Sequence, residues 1–260
     1  MLPVPPPAYH SDGRQSSQSD IPPPPFTSYR HPAPQLSSLP PHLLLHVVYH
    51  TFPQRPDIDQ GTVQRQRKTL YWLAMSLRLV SRSFYIACMH VLRSSYLPAY
   101  SSLLRHPYSS DPFPLASSTP SDVSVERILP SLQRETTVLD LFIAVKVRED
   151  VWADDSELHL EREESFRDLF DLMQPRARVE DLVRVQGERA GVIASPGTHV
   201  QLGQLDFGAL GATFSLRRVG LVLTAQGGKR TIVETDRARD EPLEQAAHRL
   251  VKRLAGWLKG

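Results

Sequence analysis

The chain has 260 residues, enough for one large domain or two small ones, with 40% hydrophobic residues and a net charge of +2. A balance that small points to neither nucleic acid nor an anionic membrane as the partner. The single cysteine, Cys88, excludes an internal disulfide and any cysteine-built zinc site, and it fits a reducing compartment.

Residues 1–36 read as a disordered, Pro/Ser-rich arm. Twelve of the 23 prolines fall within the first 41 residues. VPPPAY and IPPPPF are short polyproline stretches separated by the polar run SDGRQSSQSD. A solvated tail is the expected state, with a ligand for a polyproline-docking domain as the alternative. MLPVPPPAYH has neither a basic start nor an apolar h-region, so no signal peptide is read.

Residues 37–102 turn helical. SLPPHLLLHVVYH predicts a short helix from about Pro41 to Phe52, with Ser38 as its cap and Pro40 and Pro41 in the first turn. Leu43, Leu44, Val47 and Val48 are expected to supply its buried face. His42, His46 and His50 stack at i, i+4 and i+8 on the polar face. At about 1.5 Å rise per residue the outer two stand roughly 12 Å apart, so one zinc ion with bonds near 2.0–2.1 Å is not reached from both. No H-E-x-x-H pattern is present, and a metal-dependent hydrolase is the weakest of the readings.

PQRPDIDQGTVQRQRK, residues 53–68, is polar and broken by proline and glycine, and is predicted to be a loop. One or two helices are expected after Thr69. The apolar stretch from Thr69 to Leu92 carries Arg78 and Arg82 at its centre, and each would cost roughly 2.5–3.5 kcal/mol in a bilayer, so it is not read as a membrane span. LYWLAM, Leu70 to Met75, is apolar all round and demands cover on several sides. Three short helices offer limited core for that, so either a partner protein or the C-terminal part of the same chain must supply it. Cys88 and His90, at i and i+2, point about 200° apart on a helix and form no dyad. Cys88 is expected to be a small core residue.

LPPHLLLHVV followed by LYWLAMSLRLVSRSFYIAC resembles an F-box, over residues 37–93. In that family a Leu-Pro start leads into a short helix of Leu/Ile pairs, and later helices carry a leucine-valine-serine-arginine signature followed by an aromatic. The matching positions are Leu39, Pro40, Leu43, Leu44 and Val47, then Leu79, Val80, Ser81, Arg82 and Phe84. The resemblance implies a three-helix module that docks on the Skp-type adaptor of cullin–RING ubiquitin ligases. Leu39, Pro40, Leu43, Leu44, Val47, Leu79, Val80 and Phe84 would then be the adaptor-binding or module-defining positions, and the rest of the chain would hold a protein substrate.

Residues 103–130, with RHPYSSDPFPLASSTPSD, read as a Pro/Ser-rich connector. Residues 131–260 read as an α+β domain. Val138, Leu141, Phe142, Val145 and Trp152 have helical spacing. DDSELHLEREESFRDLFDLMQP is predicted to be a helix stopped by Pro175, with a further turn or helix over Val179 to Gly187. Its cluster Asp154, Asp155, Glu157, Glu161, Glu163 and Glu164 reads as a solvated face with Arg162 and Arg167 interspersed. ATFSLRRVGLVLTAQGGKRTIVETD has two alternating segments around Gly227-Gly228, a hairpin signal, and QLGQLDF is a candidate third strand. The terminal segment predicts an amphipathic helix whose stripe of Leu243, Ala247, Leu250, Leu254 and Trp257 covers one sheet face. Arg249, Lys252 and Arg253 fall on its wet side.

No catalytic constellation emerges. GGKRT is not a P-loop, because Leu223 stands where the first glycine belongs and Arg230 where Ser or Thr belongs. The expectation is an α+β protein: a disordered arm, a helical F-box-like module, helices with a small antiparallel sheet, and a terminal helix. Its expected role is a non-catalytic substrate receptor of a ubiquitin ligase, cytoplasmic or nuclear, needing no metal or cofactor. The alternative is a scaffold that keeps an F-box-like core and joins no ligase.

Overall fold

The computed structural model describes residue 36 and residues 39–53, 61–113, 133–152, 166–195, 199–225 and 228–259. The expectations of a disordered arm, of Ser38 as a cap, of a connector through its middle and of a helix over the acidic run 153–165 fall outside the described residues, as does Gly227 of the hairpin signal. Within the described residues the architecture is mixed helix and sheet, as expected: six α-helices and one three-stranded antiparallel sheet.

Helix α1, Pro41–His50, starts where the prolines end. Pro40 holds the capping position with no side-chain bond, and its carbonyl accepts the N–H groups of Leu43 and Leu44 at 2.9 and 3.2 Å. Pro41 has the φ a first turn wants and needs no partner for a missing N–H. The buried face is narrower than the apolar pattern predicts. Leu44 and Val48 are buried, whereas Leu43 and Val47 lie on the exposed side beside His46 and His50. Ten residues against a single neighbouring helix bury one stripe, not two.

Helix α2, Thr62–Met75, begins about two turns earlier than the sequence pattern indicates. The segment read as a loop through Lys68 is helical from Thr62, just after Gly61. Its polar residues there point largely to solvent, so they leave no apolar period to detect. Leu73 and Ala74 are buried, and α4 packs across α2. Part of the same chain therefore covers much of LYWLAM, while Trp72 stays exposed.

A 3-10 turn, Leu77–Leu79, leads into α3, Arg82–Ser102. The Ser81 side chain accepts the N–H of Phe84 at 3.2 Å, an N-cap that fixes where α3 starts. The helix passes through Pro98 without stopping.

Helix α4, Arg134–Trp152, is clasped to α3. Arg93 binds Asp140 in a two-pronged pair at 2.8 and 2.7 Å, and Tyr96 donates to Asp150 at 3.0 Å. Val138 and Phe142 face the core as the spacing predicts, while Leu141 and Val145 are more than a third exposed.

Pro175 does not stop the next helix. A π-turn over Leu169–Met173 runs directly into α5, Gln174–Arg189. The Gln174 N–H reaches back five residues to the Leu169 carbonyl, and the wider turn makes room for the proline ring against the preceding carbonyls. Phe166, Phe170, Phe142 and Tyr100 pack in tilted and edge-on pairs, with centroids 5.0 to 5.7 Å apart. Leu44, Leu73, Phe84, Leu92, Tyr100, Phe142 and Phe170 belong to one core, so helices from both sides of the connector share it.

A second core lies between α5, the sheet and α6, Leu243–Lys259. Strands β2, Arg218–Ala225, and β3, Gly228–Asp236, form the expected hairpin, and Gly228 takes φ +117° at the turn. The third strand is not QLGQLDF. It is β1, Leu210–Phe214, which pairs antiparallel with β2, while Leu205 makes only an isolated bridge to Ile193. QLGQLDF carries Gly203 at φ +84°, which turns the chain. Leu243, Ala247, Leu250 and Leu254 are buried as predicted, together with Ala246 and Val251, but Trp257 is 47% exposed at the end of the stripe.

Candidate functional site

Where a sheet is open at an edge, another chain can add a strand. Here side chains occupy backbone groups on both outer strands. On β1, Glu180 accepts the N–H of Ala212 at 2.7 Å and Arg134 donates to the carbonyl of Leu210 at 2.6 Å. On β3, Arg249 donates to the carbonyl of Asp236 at 2.9 Å and Arg253 to that of Glu234. These two arginines, expected on the wet face of α6, thus close the strand beside it.

The buried acids invite a catalytic test. Glu135, Glu180 and Asp181 are each at least 93% buried. Glu135 accepts from Ser110, from the N–H of Asp111 and from Gln174 at 2.7 to 3.0 Å. Asp181 accepts the N–H groups of Arg134 and Glu135, both at 2.9 Å, and so caps α4 from α5. Burial pushes its carboxyl up to about 6 against the pull of those two N–H bonds, and the neighbouring Glu135 and Glu180 add to the rise. Glu180 pairs with Arg134 at 2.8 Å. All six carboxyl oxygens are engaged by donors of the chain, which is the arrangement of a structural joint between the two cores.

The histidines and cysteine resolve similarly. His42, His46 and His50 are exposed, and the rings of His46 and His50 stack with centroids 5.3 Å apart. No group of three or more His, Cys, Asp or Glu able to hold a metal ion occurs among the described residues. Cys88 is fully buried, and burial pushes its thiol up to about 11.

The candidate adaptor positions divide into two sets. Leu44 and Phe84 are in the core, and Leu39 packs half-buried against it. Pro40 is exposed at the start of α1. Leu43, Val47, Leu79 and Val80 are exposed at 42, 41, 73 and 68%. Leu43 and Val47 sit on α1, Leu79 on the 3-10 turn and Val80 just after it, and both elements pack against α3. Ile86, 55% exposed on α3, belongs to the same helical unit and was not singled out from the sequence. Its spacing from Arg82 and His90, at i−4 and i+4, is the signal that places it on the outer face of α3.

A second feature missed by the sequence-based expectations is a cleft of about 590 Å³ lined by Leu216, Arg217, Arg218, Asp236, Arg237 and Arg239. The turn between β1 and β2 and the exit from β3 build it. Its sequence signal is the pair of arginine clusters, LRR and DRAR, at neighbouring strand ends.

No known protein family, no curated protein and no solved structure matches the chain. Among the described residues no helix is long and apolar enough to cross a membrane.

Proposed function

We propose that this chain is a non-catalytic substrate-receptor subunit of a cullin–RING ubiquitin ligase, acting in the cytoplasm or nucleus. In this reading α1–α3 dock on the Skp-type adaptor and the remainder presents a protein substrate. The observation that carries the proposal is the exposure of Leu43, Val47, Leu79 and Val80, four positions that the F-box resemblance assigns to the adaptor. Fully burying a Leu or Val side chain is worth about 1.5–3 kcal/mol, so a partner that covers these four gains a large part of the affinity it needs. Leu44 and Phe84 act from beneath by fixing the helices, and Ser81 sets the start of α3.

The scaffold reading has its own support, because α1–α3 share a core with α4 and the π-turn. A module with that much common core can serve the stability of one chain alone.

Co-expression of the full chain with the Skp-type adaptor, followed by size-exclusion chromatography, separates the two. Co-elution is expected for the native chain and loss of it for Leu43→Asp with Val80→Asp. Both side chains are exposed, so the double variant should keep its thermal transition. Binding that survives the double change counts against the adaptor surface. Elution of the native chain and the adaptor as separate folded species leaves the scaffold.

A further inference from the structure

Arg237 is a cation in an unusual place. The residue is only 5% exposed, and its guanidinium lies 4.9 Å from the centre of the Phe214 ring and 5.5 Å from that of Tyr108. Its donors reach the Glu241 carbonyl at 2.9 Å and the Tyr108 hydroxyl at 3.5 Å, and its Nε has no partner. Among the described residues it makes no ion pair. The Glu241 carboxylate pairs through Oε2 with Arg249 at 2.6 Å and forms no ion pair with Arg237, although its Oε1 is buried without a partner. A buried charge without a counter-ion is costly and calls for one.

The same residue lines the cleft at the end of the sheet, where Arg217, Arg218 and Arg239 join it. Against these four guanidinium groups the lining holds one carboxylate, Asp236, itself 91% exposed and 3.5 Å from Arg218, and Glu234 beside it pairs with Arg218 at 3.8 Å. Arg217 and Arg239 are exposed and make no ion pair among the described residues. Four positive charges less the two negative charges of Asp236 and Glu234 leave a surplus of two. A single carboxylate would offset only one of these. A phosphomonoester offsets nearly two near neutral pH and offers three acceptor oxygens to planar, forked donors.

We infer that the cleft formed by Arg217, Arg218, Arg237 and Arg239 is a binding site for one phosphomonoester dianion. Arg237 supplies a fixed, desolvated charge from the floor, and the three exposed arginines supply donors around the rim. Leu216, 64% exposed on the rim, offers an apolar contact to whatever carries the phosphate. The site stands independently of the adaptor surface, which lies on other elements.

The test uses the full chain in calorimetric titrations with inorganic phosphate and with phosphoserine, at constant ionic strength set by sodium chloride. Saturable binding is expected, weakened at least tenfold in Arg217→Gln with Arg239→Gln. Both side chains are exposed, so this pair of changes leaves the thermal transition in place. Equal affinity for the two probes identifies free phosphate as sufficient, and preference for phosphoserine identifies a phosphorylated side chain as the source; either supports the site. Absence of saturable binding by both probes, or binding unchanged in the double variant, overturns it.

Discussion

Glu180 on α5 accepts the backbone N–H of Ala212 in β1 at 2.7 Å, in the place where a further strand would supply a carbonyl. Its other oxygen holds Arg134 at 2.8 Å, and Arg134 donates to the carbonyls of Leu210 and Phe207. The ion pair presents an acceptor and a donor side by side, as a neighbouring strand does. A three-stranded sheet is thereby finished at β1 without a fourth strand, and the helix from the first core is bound to the sheet of the second.

Glu180→Ala should therefore act on stability and on association together. The residue is 6% exposed, and loss of its carboxylate leaves the Ala212 N–H without a partner and Arg134 without its counter-ion. Removing one member of a buried pair costs about 3–5 kcal/mol. Because Arg134 is itself partly exposed, the lower end, about 3 kcal/mol, is expected in urea denaturation. Light scattering should also rise with protein concentration in the variant, because the β1 edge is opened.

Asp181 gives the chain a signature in pH. Its carboxyl is raised from 3.8 to about 6 in the folded state, first by burial and then by Glu135 and Glu180. The neutral form is thus favoured by folding. The stability it contributes is fully present below pH 3.8 and is lost as pH rises through about 6. A shift of that size corresponds to about 3 kcal/mol. Asp181→Asn cannot ionise, so the difference in unfolding free energy between native chain and variant should fall by that order between about pH 4 and about pH 7. A difference that stays flat over this range would show that Asp181 titrates normally.

How far the fold was legible depends on the range of the interactions. The stripe Leu243, Ala247, Leu250 and Leu254 and the alternation across Gly228 are local patterns, and they mark α6 and the hairpin correctly. The start of α2 escaped because Gln64 to Lys68 carry no apolar period, so nothing distinguishes a wet helix from a loop. Pro175 misled because its usual effect assumes an ordinary α-turn before it, and a π-turn stands there instead. Of the candidate surface, Leu43 and Val47 were mistaken for buried residues since hydrophobicity does not say which of two apolar stripes meets the core. The arginine cleft left only a faint trace, the clusters LRR and DRAR, which a reading of either segment alone does not join. Arg217 and Arg237 are far apart in the chain, and only the pairing of β2 with β3 brings the Arg237 N–H to within 2.8 Å of the Arg217 carbonyl.

Ser81 stands directly before the first residue of α3, and the structure gives it a physical task. Its side chain takes the N–H of Phe84, one of the four amide groups that the first turn of α3 leaves open. Ser81→Ala should lower stability by about 1 kcal/mol. Ser81→Asp, which keeps an acceptor and places negative charge at a helix start, should restore it. Thermal melts of the two variants check this. Failure of the aspartate to rescue would mean that the hydroxyl serves something other than the cap.

Gly187 tests how tightly α5 is set against the segment after it. A Cβ at this position would lie 2.5 Å from Cδ1 and 2.7 Å from Cγ1 of Ile193. Ile193 is 1% exposed, so its side chain has nowhere to turn. Alanine is better than glycine in a helix by about 1 kcal/mol, but the overlap with a buried side chain costs about 1–3 kcal/mol. The clash should win, and Gly187→Ala is expected to destabilise by about 1 kcal/mol net. Adding Ile193→Val removes the Cδ1 atom that comes nearest. The double variant should then lose less than the sum of the two single changes, because the helix gain is kept while the closest overlap is gone. Strict additivity in denaturation experiments would show that the two positions do not meet.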